Sequence, residues 1–323
     1  MSHYPFPEYA RRFMDSAKTH YGSITWEKMN ARYRRIGRDI RMLYNLDIIS
    51  TLSPRKMTVK DCKAYIEYRR SLVNPMTHEL FTDAEHRHDQ SAMKLLFKYP
   101  DVRNTAFEDC LAYYPHLKAK DHHKRKPKLT DEQYNTLRDL TTYFAETYPD
   151  DWNFILTYGI VGFYLATGCR TLEGQYCDVD NIDLENMTVK FDIVKGIDTY
   201  GEPRIVPIHP DFHPIIKTYL ILRNRQLSDR KLENPALFPN IRGDNNGRLS
   251  DKTLRYYKTK VEEAVGFKFD FRTTRRTRCM LMKKKRIPTD VACRIAGNTE
   301  RIFERHYGIV ENDDAVNYVK ERW

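Results

Sequence analysis

The sequence has few of the features that mark secreted, metal-binding or membrane proteins. Its 323 residues include six cysteines, none of them in a Cys-x-x-Cys pair, so neither a disulfide framework nor a compact zinc motif is indicated. Cys110 lies upstream of His122 and His123, but no second cysteine completes a tetrahedral zinc set. The first residues lack the apolar core of a signal peptide. We therefore expect reduced thiols in an intracellular, cytoplasmic protein without a bound metal.

Long apolar segments are equally scarce. The one extended run, from Trp152 to Cys169, approaches membrane-spanning length but contains Asn153, Thr157, two tyrosines and three glycines. A helix buried in a globular core explains this run better than a membrane span. The sequence also shows no carboxylate cluster typical of metal sites and no glycine-rich phosphate loop. We expect no membrane segment and no cofactor.

Acidic residues are outnumbered by basic ones. The chain has 55 Lys and Arg against 44 Asp and Glu, a formal net charge of +11 and a pI near 9.2. Such a balance favours a polyanionic partner, most commonly nucleic acid, although scattered surface lysines without such a partner are an alternative. Length and a hydrophobic content of 41% suit two domains, each with its own core.

Residues 1–117 are predicted to form a small helical bundle with basic outer faces. Apolar residues recur at helical spacing in four segments: Thr25 to about Leu46, Thr58 to Arg69, Ser91 to Tyr99, and Asn104 to Ala112. Such a bundle could bind DNA or another protein. Residues 118–128 follow as a basic, proline-bearing stretch without apolar periodicity, which predicts an extended linker. Its lysines suit a DNA backbone, but a solvated tether is a simpler account.

The remaining residues, 129–323, are predicted to form a second domain that begins with helices. Thr130 and Gln133 give a capping-box pattern before a helix that runs to about Thr147. The apolar segment 152–166 forms the next helix, which Gly168 ends.

Within this domain the period changes from helical to alternating between residues 177 and 209. β-Branched residues alternate around Gly196 and Gly201, which predicts a small antiparallel sheet with a hairpin. From Pro210 onward the pattern is helical again, apart from a Gly/Asn-rich loop.

Short motifs in the second domain supply arginines and a late tyrosine. They are Thr167-Gly-Cys-Arg170-Thr-Leu-Glu173, Arg272-Thr-Thr-Arg275, Gly297-Asn298 and Arg305-His-Tyr307-Gly308. Arg275 and Asn298 are 23 positions apart, and Tyr307 follows Asn298 by nine. These intervals single out Tyr307 among 22 tyrosines by its position.

From about residue 20 to 310 these motifs and intervals resemble those of the tyrosine recombinases (the phage integrase family) of the simple two-domain kind. The segment around Arg170 resembles the family's first arginine box. Val194-Lys195-Gly196, followed by Arg204-Ile-Val-Pro207, resembles the β-hairpin that carries the catalytic lysine, with a longer loop than is common. The resemblance leaves open an archaeal or a mobile-element integrase.

Two positions depart from the family's pattern. Arg272 stands where a histidine usually assists proton transfer, and a guanidinium cannot act as a general base. Asn298 replaces another histidine; its amide can donate a hydrogen bond but carries no charge. We therefore hypothesise a site that is more cationic than usual and depends less on histidine titration.

The resemblance implies a catalytic set of Arg170, Lys195, Arg272, Arg275 and Asn298 around the scissile phosphate, with Tyr307 as the nucleophile. Arginine forks favour the charge that develops on phosphate oxygens. A lysine can protonate the leaving 5′ oxygen, and the cationic site must help a tyrosine with a pKa of about 10 reach phenolate character. The 3′-phosphotyrosyl bond then needs neither metal nor ATP for religation.

The resemblance also implies an architecture and partners. The fold is expected to be mainly α with a small antiparallel β-sheet: an N-terminal core-binding (SAM-like) helical bundle, and a mixed α/β (α+β) catalytic domain with a C-terminal tail. The partner is double-stranded DNA, bound by a homotetramer at two sites, with a monomer in solution left open. The tail from Val310 to Trp323 is expected to dock either on a neighbouring subunit or on its own.

Strand exchange through a Holliday junction is the activity that the resemblance implies, with integration slightly favoured over dimer resolution. Two other functions stay open: a type IB topoisomerase-like enzyme that relaxes DNA, and a DNA-binding regulator that has lost catalysis. No additional N-terminal arm-binding domain is expected. The protein is expected at DNA, in the nucleoid or in the host cell of a mobile element.

Overall fold

The chain folds into two compact units, Met1–Lys124 and Arg125–Trp323, each with its own hydrophobic core. The computed structural model describes residues 5–120, 127–197, 201–241, 247–307, 316 and 319–320. Several features expected from the sequence lie outside these residues. They are the middle of the basic linker with His122 and His123, part of the hairpin loop, most of the Gly/Asn-rich loop, and most of the C-terminal tail.

The first unit is a helical bundle. Its helices are α1 (Pro5–Ser16), α2 (Ser23–Asn45), α3 (Val59–Ser71), α4 (Asp83–Lys98) and α5 (Ala106–Tyr113). The four predicted helices are present. Helix α4 begins eight residues earlier than predicted because Thr82 and Glu85 form a capping box at its start.

Helix α1 was not predicted, and it completes the core of this unit. Phe6, Ala10 and Met14 recur every four residues and are all buried, so one face of α1 packs against α2. Prolines at its start are tolerated because the first backbone N–H groups of a helix have no partner within the helix.

A buried charge cluster joins three helices of the bundle. Asp89 of α4 is 3% exposed and accepts hydrogen bonds from Nε and Nη2 of Arg69 of α3, at 3.2 and 3.0 Å. Arg32 and Arg35 of α2 also pair with Asp89. Because a buried carboxylate is costly unless it is paired, this cluster fixes the relative positions of α2, α3 and α4.

The second unit combines helices with a small sheet. Its elements are α6 (Asp131–Thr147), α7 (Trp152–Thr167), α8 (Thr171–Gln175), β1 (Ile182–Asp183), β2 (Thr188–Phe191), β3 (Arg204–Pro207), α9 (His213–Asp229), α10 (Asp251–Val265), α11 (Phe271–Lys284), α12 (Thr289–Ala296) and α13 (Glu300–Tyr307). The strands are antiparallel in the order β1-β2-β3. The predicted fold class, mainly α with a small antiparallel sheet, is confirmed.

Helix α7 is the centre of the second unit. Its residues 155–167 are all buried, and it packs against α6, α9, α10 and α11. Asp151 caps its first turn by accepting hydrogen bonds from the N–H groups of Asn153 and Phe154. A helix that is apolar on every side belongs in a core. Among the described residues, no helix is both long and apolar enough to cross a membrane.

The last three helices form a smaller cluster at one side of this unit. Phe303 of α13 is 2% exposed and packs with Cys279 and Met282 of α11 and with Cys293 of α12. This contact anchors the helix that ends at Tyr307. All six cysteines of the chain are buried thiols.

Both ends of the predicted linker are bound to the unit in which they lie. In the first unit, the side chain of Gln90 donates to the carbonyl of Leu117 at 2.7 Å and accepts from the N–H of Ala119 at 3.0 Å. In the second unit, the N–H of Leu129 donates to the hydroxyl of Thr277 of α11 at 3.0 Å. Each end of the linker is therefore held by hydrogen bonds within its own unit.

Candidate active site

The chain turns sharply between α7 and α8, and this turn positions Arg170. Gly168 ends α7 with φ of 62°, a conformation that favours glycine. A Cβ atom at Gly168 would lie 2.8 Å from Cβ of Arg278, so the close packing of α7 on α11 also requires glycine. The N–H of Arg170 donates to Oε2 of Glu173 at 2.7 Å, which caps α8.

The side chain of Arg170 crosses to the segment that follows α12. Its Nη2 donates to the carbonyl of Gly297 at 2.8 Å and to Oδ1 of Asn298 at 2.9 Å. Its Nη1 donates to Oε1 of Glu173 at 2.8 Å. The side chain keeps 27% of its surface exposed, so part of it is open to solvent.

Arg275 of α11 reaches the same segment from another direction. Its Nη1 donates to the carbonyl of Gly168 at 3.0 Å, and its Nη2 donates to the carbonyl of Ala296. Arg170 and Arg275 therefore bind the consecutive carbonyls of Ala296 and Gly297 at the C-terminal end of α12. A guanidinium has more N–H donors than these bonds use, so donors remain for a further acceptor.

Glu173 and Arg204 form a buried ion pair beneath Arg170. Nη1 and Nη2 of Arg204 donate to the two carboxylate oxygens of Glu173 at 3.1 and 2.7 Å. Burial alone would raise the pKa of Glu173, but the hydrogen bonds from Arg204 and the charges of Arg204 and Arg170 outweigh burial and lower the pKa to about 2. Glu173 is therefore a fixed negative charge at neutral pH.

The cluster as a whole carries a surplus of positive charge. The carboxylate of Glu173 pairs with the guanidinium groups of Arg170 and Arg204, and the charge of a third guanidinium, that of Arg275, acts on Arg170. Burial lowers the pKa of Arg170, and the nearby charge of Arg275 lowers it further. Two like charges held close together in a partly buried place favour the binding of an anion between them.

Three of the residues predicted from the sequence thus meet at the end of α12: Arg170 bonds directly to Asn298, and Arg275 binds the carbonyl of Ala296, two residues before Asn298. Arg272 lies one turn before Arg275 on α11 and is exposed. Lys195 is exposed in the turn that follows β2. Among the described residues, no hydrogen bond or ion pair joins Arg272 or Lys195 to the other three. The neighbouring Lys190 pairs with Asp192 at 2.8 Å.

Tyr307 is the last residue of α13, one helical turn beyond the buried Phe303. Its side chain lies outside the described part of the structure, as do the side chains of Arg305 and His306. The assignment of Tyr307 as the nucleophile therefore stays a prediction that rests on its interval from Asn298.

Arg204 is the functional candidate that the sequence prediction missed. Strand β3 has only four residues, and a charged residue at the start of so short a strand is usually expected at the surface. The sequence did hold one signal, because alternate residues of a strand lie on the same face. Arg204 and Val206 lie on the same buried face of β3, whereas Ile205 is exposed. Glu173 was recognised as part of the arginine motif, but no buried partner for it was predicted.

No group of three or more His, Cys, Asp and Glu residues that could hold a metal occurs in the described part of the chain. Cys110, the residue considered for zinc, is buried in the core of the first unit.

Comparison with known proteins supports the fold and gives no match in sequence. No protein-family model matches the chain, and no curated protein matches it. Solved structures do match over nearly the whole chain. The site-specific recombinase XerH, bound to a palindromic difH substrate, has a TM-score of 0.67 at 16% identity, covering 97% of this chain and 83% of XerH.

Two integrases are also similar to this chain in structure. The Tn1549 transposon integrase in complex with a circular intermediate DNA has a TM-score of 0.64 at 13% identity, over 98% of this chain and 99% of that one. A lambda integrase dimer bound to a core site has a TM-score of 0.53 at 15% identity, over 93% and 94% of the two chains. The chain has the fold of these recombinases and integrases, as the sequence motifs predicted.

Proposed function

We propose that the protein is a site-specific DNA recombinase of the tyrosine type, with integration as the favoured outcome. The fold is shared with recombinases and integrases whose structures were solved on DNA. At these low identities the fold alone does not assign a reaction, because one fold hosts many functions. The assignment therefore rests on the residues of the candidate site.

The observation that carries the proposal is the meeting of Arg170 and Arg275 at consecutive carbonyls. The two arginines are 105 positions apart in the sequence, yet both donate to the end of α12 at Ala296 and Gly297. A purely structural role would need only one cation at a helix C-terminus. Two fixed guanidinium groups with unused donors suit the two non-bridging oxygens of a phosphodiester.

In the proposed reaction, Tyr307 gives up its hydroxyl proton to solvent water, its oxygen attacks phosphorus as a phenolate, and the bond from phosphorus to the 5′ oxygen breaks. Arg170 and Arg275 bind the non-bridging oxygens, and the Asn298 side chain, held by Arg170, contributes an amide donor. Lys195, exposed in its turn, moves to the leaving oxygen and gives it a proton. Arg272 adds a further cation on the exposed side of α11. The reverse reaction with a new 5′ hydroxyl joins the strands.

The proposal extends to partners and domain roles. Double-stranded DNA is bound by residues 1–117 as a core-binding domain and by 129–323 as the catalytic domain, with 118–128 as the linker along the backbone. The active assembly is a homotetramer on two DNA sites, and the tail after Tyr307 docks on a neighbouring subunit. The protein acts in the cytoplasm, at DNA.

A covalent-capture experiment tests the proposed function. The wild type, Tyr307→Phe and Tyr256→Phe are incubated with sheared DNA from the organism or element that encodes the chain. Tyr256 is an exposed tyrosine of α10 and serves as the matched control. After denaturation with detergent, the DNA that stays attached to protein is sequenced. We expect attachment at discrete sites for the wild type and for Tyr256→Phe, and none for Tyr307→Phe.

The other outcomes separate the alternatives. Reproducible DNA binding without a covalent adduct would favour a regulator that has lost catalysis. An adduct accompanied by relaxation of supercoiled plasmid, without pairing of two sites, would favour a type IB topoisomerase-like enzyme. An adduct that persists in Tyr307→Phe would assign the attack to another residue.

A further inference from the structure

Arg204 is almost fully buried, yet its guanidinium contacts parts of the chain that come from three separate regions of the sequence. The residue is 8% exposed and belongs to β3, the second strand of the hairpin whose loop contains Lys195. The guanidinium lies over the ring of Phe191 of β2, 5.4 Å from the ring centre. These contacts fix Arg204 within the hairpin.

From the hairpin, Arg204 reaches α8 and α12. It donates twice to the carboxylate of Glu173, at 3.1 and 2.7 Å, and Glu173 in turn accepts from Arg170. Its Nε donates to the carbonyl of Ile295 at 2.9 Å. Ile295 is followed directly by Ala296, whose carbonyl accepts from Arg275.

The packing beside Gly297 shows how closely this guanidinium is held. A Cβ atom at Gly297 would lie 2.9 Å from Nη1 and 3.0 Å from Cζ of Arg204. Gly297 has φ of 59° and accepts from Arg170 through its carbonyl. The guanidinium of Arg204 therefore lies directly against the turn that holds both proposed phosphate-binding arginines.

We propose that Arg204 is a positioning residue for the cleavage reaction. It fixes Arg170 through Glu173, and through Ile295 it fixes the end of α12, whose carbonyls bind Arg170 and Arg275. Because Arg204 belongs to β3, it also connects these two arginines to the hairpin that carries Lys195. This inference rests on the proposed function. Forked, charged hydrogen bonds give Arg204 a single orientation, and a phosphate site requires such fixed geometry because small displacements of catalytic groups reduce the rate strongly.

The test compares Arg204→Met and Arg204→Lys with Arg223→Met in the full-length protein. Arg223 is a suitable control because it is also buried, at 2% exposed, and binds backbone carbonyls of Asn234 and Ala236. The assay measures the single-turnover rate of covalent attachment to a duplex recovered by capture with the wild type, per folded molecule. We expect Arg204→Met to slow attachment by about 100-fold, since misplacement of a catalytic group by an ångström costs about that much.

DNA affinity should change little in Arg204→Met, because binding is dominated by surface cations that contact phosphates. Arg204→Lys, which keeps the charge but not the fork, should recover part of the rate. Arg223→Met should lose stability and keep its rate of attachment per folded molecule.

A pH profile distinguishes positioning from loss of folding. The charged groups that face Glu173 are Arg170 and Arg204, while the buried thiol of Cys169 and phenol of Tyr164 have raised pKa values and stay neutral. Without Arg204, burial raises the pKa of Glu173. The attachment rate of Arg204→Met should therefore fall further as the pH is lowered from 8 to 5, and Arg204→Met/Glu173→Gln should lack this dependence.

Two results would overturn the inference without touching the proposed function. One is an active wild type with an Arg204→Met variant that attaches at the same rate. The other is an attachment rate per folded molecule that falls equally in Arg204→Met and Arg223→Met, with no added pH dependence in Arg204→Met. A wild type that forms no adduct with any captured duplex would overturn the proposed function itself.

Discussion

Replacement of Glu173 by glutamine tests the buried charge cluster through the stability of the second unit. Glu173 is 1% exposed, and its pKa is lowered from the ordinary 4.5 to about 2. At about 1.4 kcal/mol per unit of pKa, this lowering of the pKa stabilises the folded state by about 3 kcal/mol at pH 7. A protein domain has a total stability of only about 5–15 kcal/mol, so the loss is large enough to measure.

The pH dependence has a definite sign. Because the pKa of Glu173 is lower in the folded state, its stabilisation is complete above about pH 5 and is lost as the pH falls from 4.5 towards 2. In Glu173→Gln the amide does not titrate, and Arg204 keeps a buried charge without a counterion, which costs about 3–5 kcal/mol. We expect the variant to be less stable than the wild type by about 3 kcal/mol or more at pH 7, and the difference to shrink below pH 4.

Urea unfolding followed by tryptophan emission measures this difference. Trp152 packs against the core of the second unit, so Trp26→Phe and Trp323→Phe are introduced into every protein to leave Trp152 as the reporter. Glu185→Gln, at an exposed carboxylate, is the control and should stay within about 0.5 kcal/mol of the wild type. A Glu173→Gln variant as stable as the wild type at pH 7, or a difference that stays constant down to pH 3, would show that the charge of Glu173 does not stabilise this unit.

Three further predictions concern the chemistry. Arg275→Lys should keep DNA affinity but slow covalent attachment by about 10²–10³-fold, because a lysine cannot hold two carbonyls and a phosphate oxygen together; single-turnover assays measure this, and an unchanged rate would contradict it. Lys195→Ala should be slow on ordinary DNA and recover on a duplex whose leaving 5′ oxygen is replaced by sulfur, since a thiolate leaves without a proton; equal slowness on both duplexes would exclude Lys195 as the acid. With Arg272 and Asn298 in place of histidines, the wild-type rate should show no steep ionisation near pH 6.5, and a steep step there would count against the cationic site.

Local signals in the sequence predicted most of the secondary structure. The capping box of Thr130 and Gln133 and the end of α7 at Gly168 are present as predicted, because each depends on residues within one or two turns. Helix α1 was missed although Phe6, Ala10 and Met14 have helical spacing, since its first residues, Pro5-Phe6-Pro7, show no capping-box pattern in the sequence. Its stability comes from packing on α2, which no local pattern reveals.

In the candidate site, too, the residues that belong to local motifs were predicted and the contacts between distant segments were not. Arg170, Arg275 and Asn298 were predicted from motifs and intervals, and the structure brings them together. The partners of Arg204 could not be predicted, because they are Glu173, which lies 31 positions earlier in the chain, and a backbone carbonyl at Ile295. Contacts of this kind form only when distant segments meet. The alternation along a short strand indicates the face on which an arginine lies, but not what the arginine contacts there.

The most direct test of the proposed function identifies the residue that becomes bonded to DNA. Covalent complexes captured with the wild type are digested with nuclease and then with trypsin, and the peptides that retain a nucleotide are sequenced by mass spectrometry. Cleavage after Arg305 separates Tyr307 from the tyrosines that precede it in the chain. We expect a nucleotide joined through its 3′ phosphate to Tyr307. A nucleotide on any other residue, or none in a preparation that binds DNA, would contradict it.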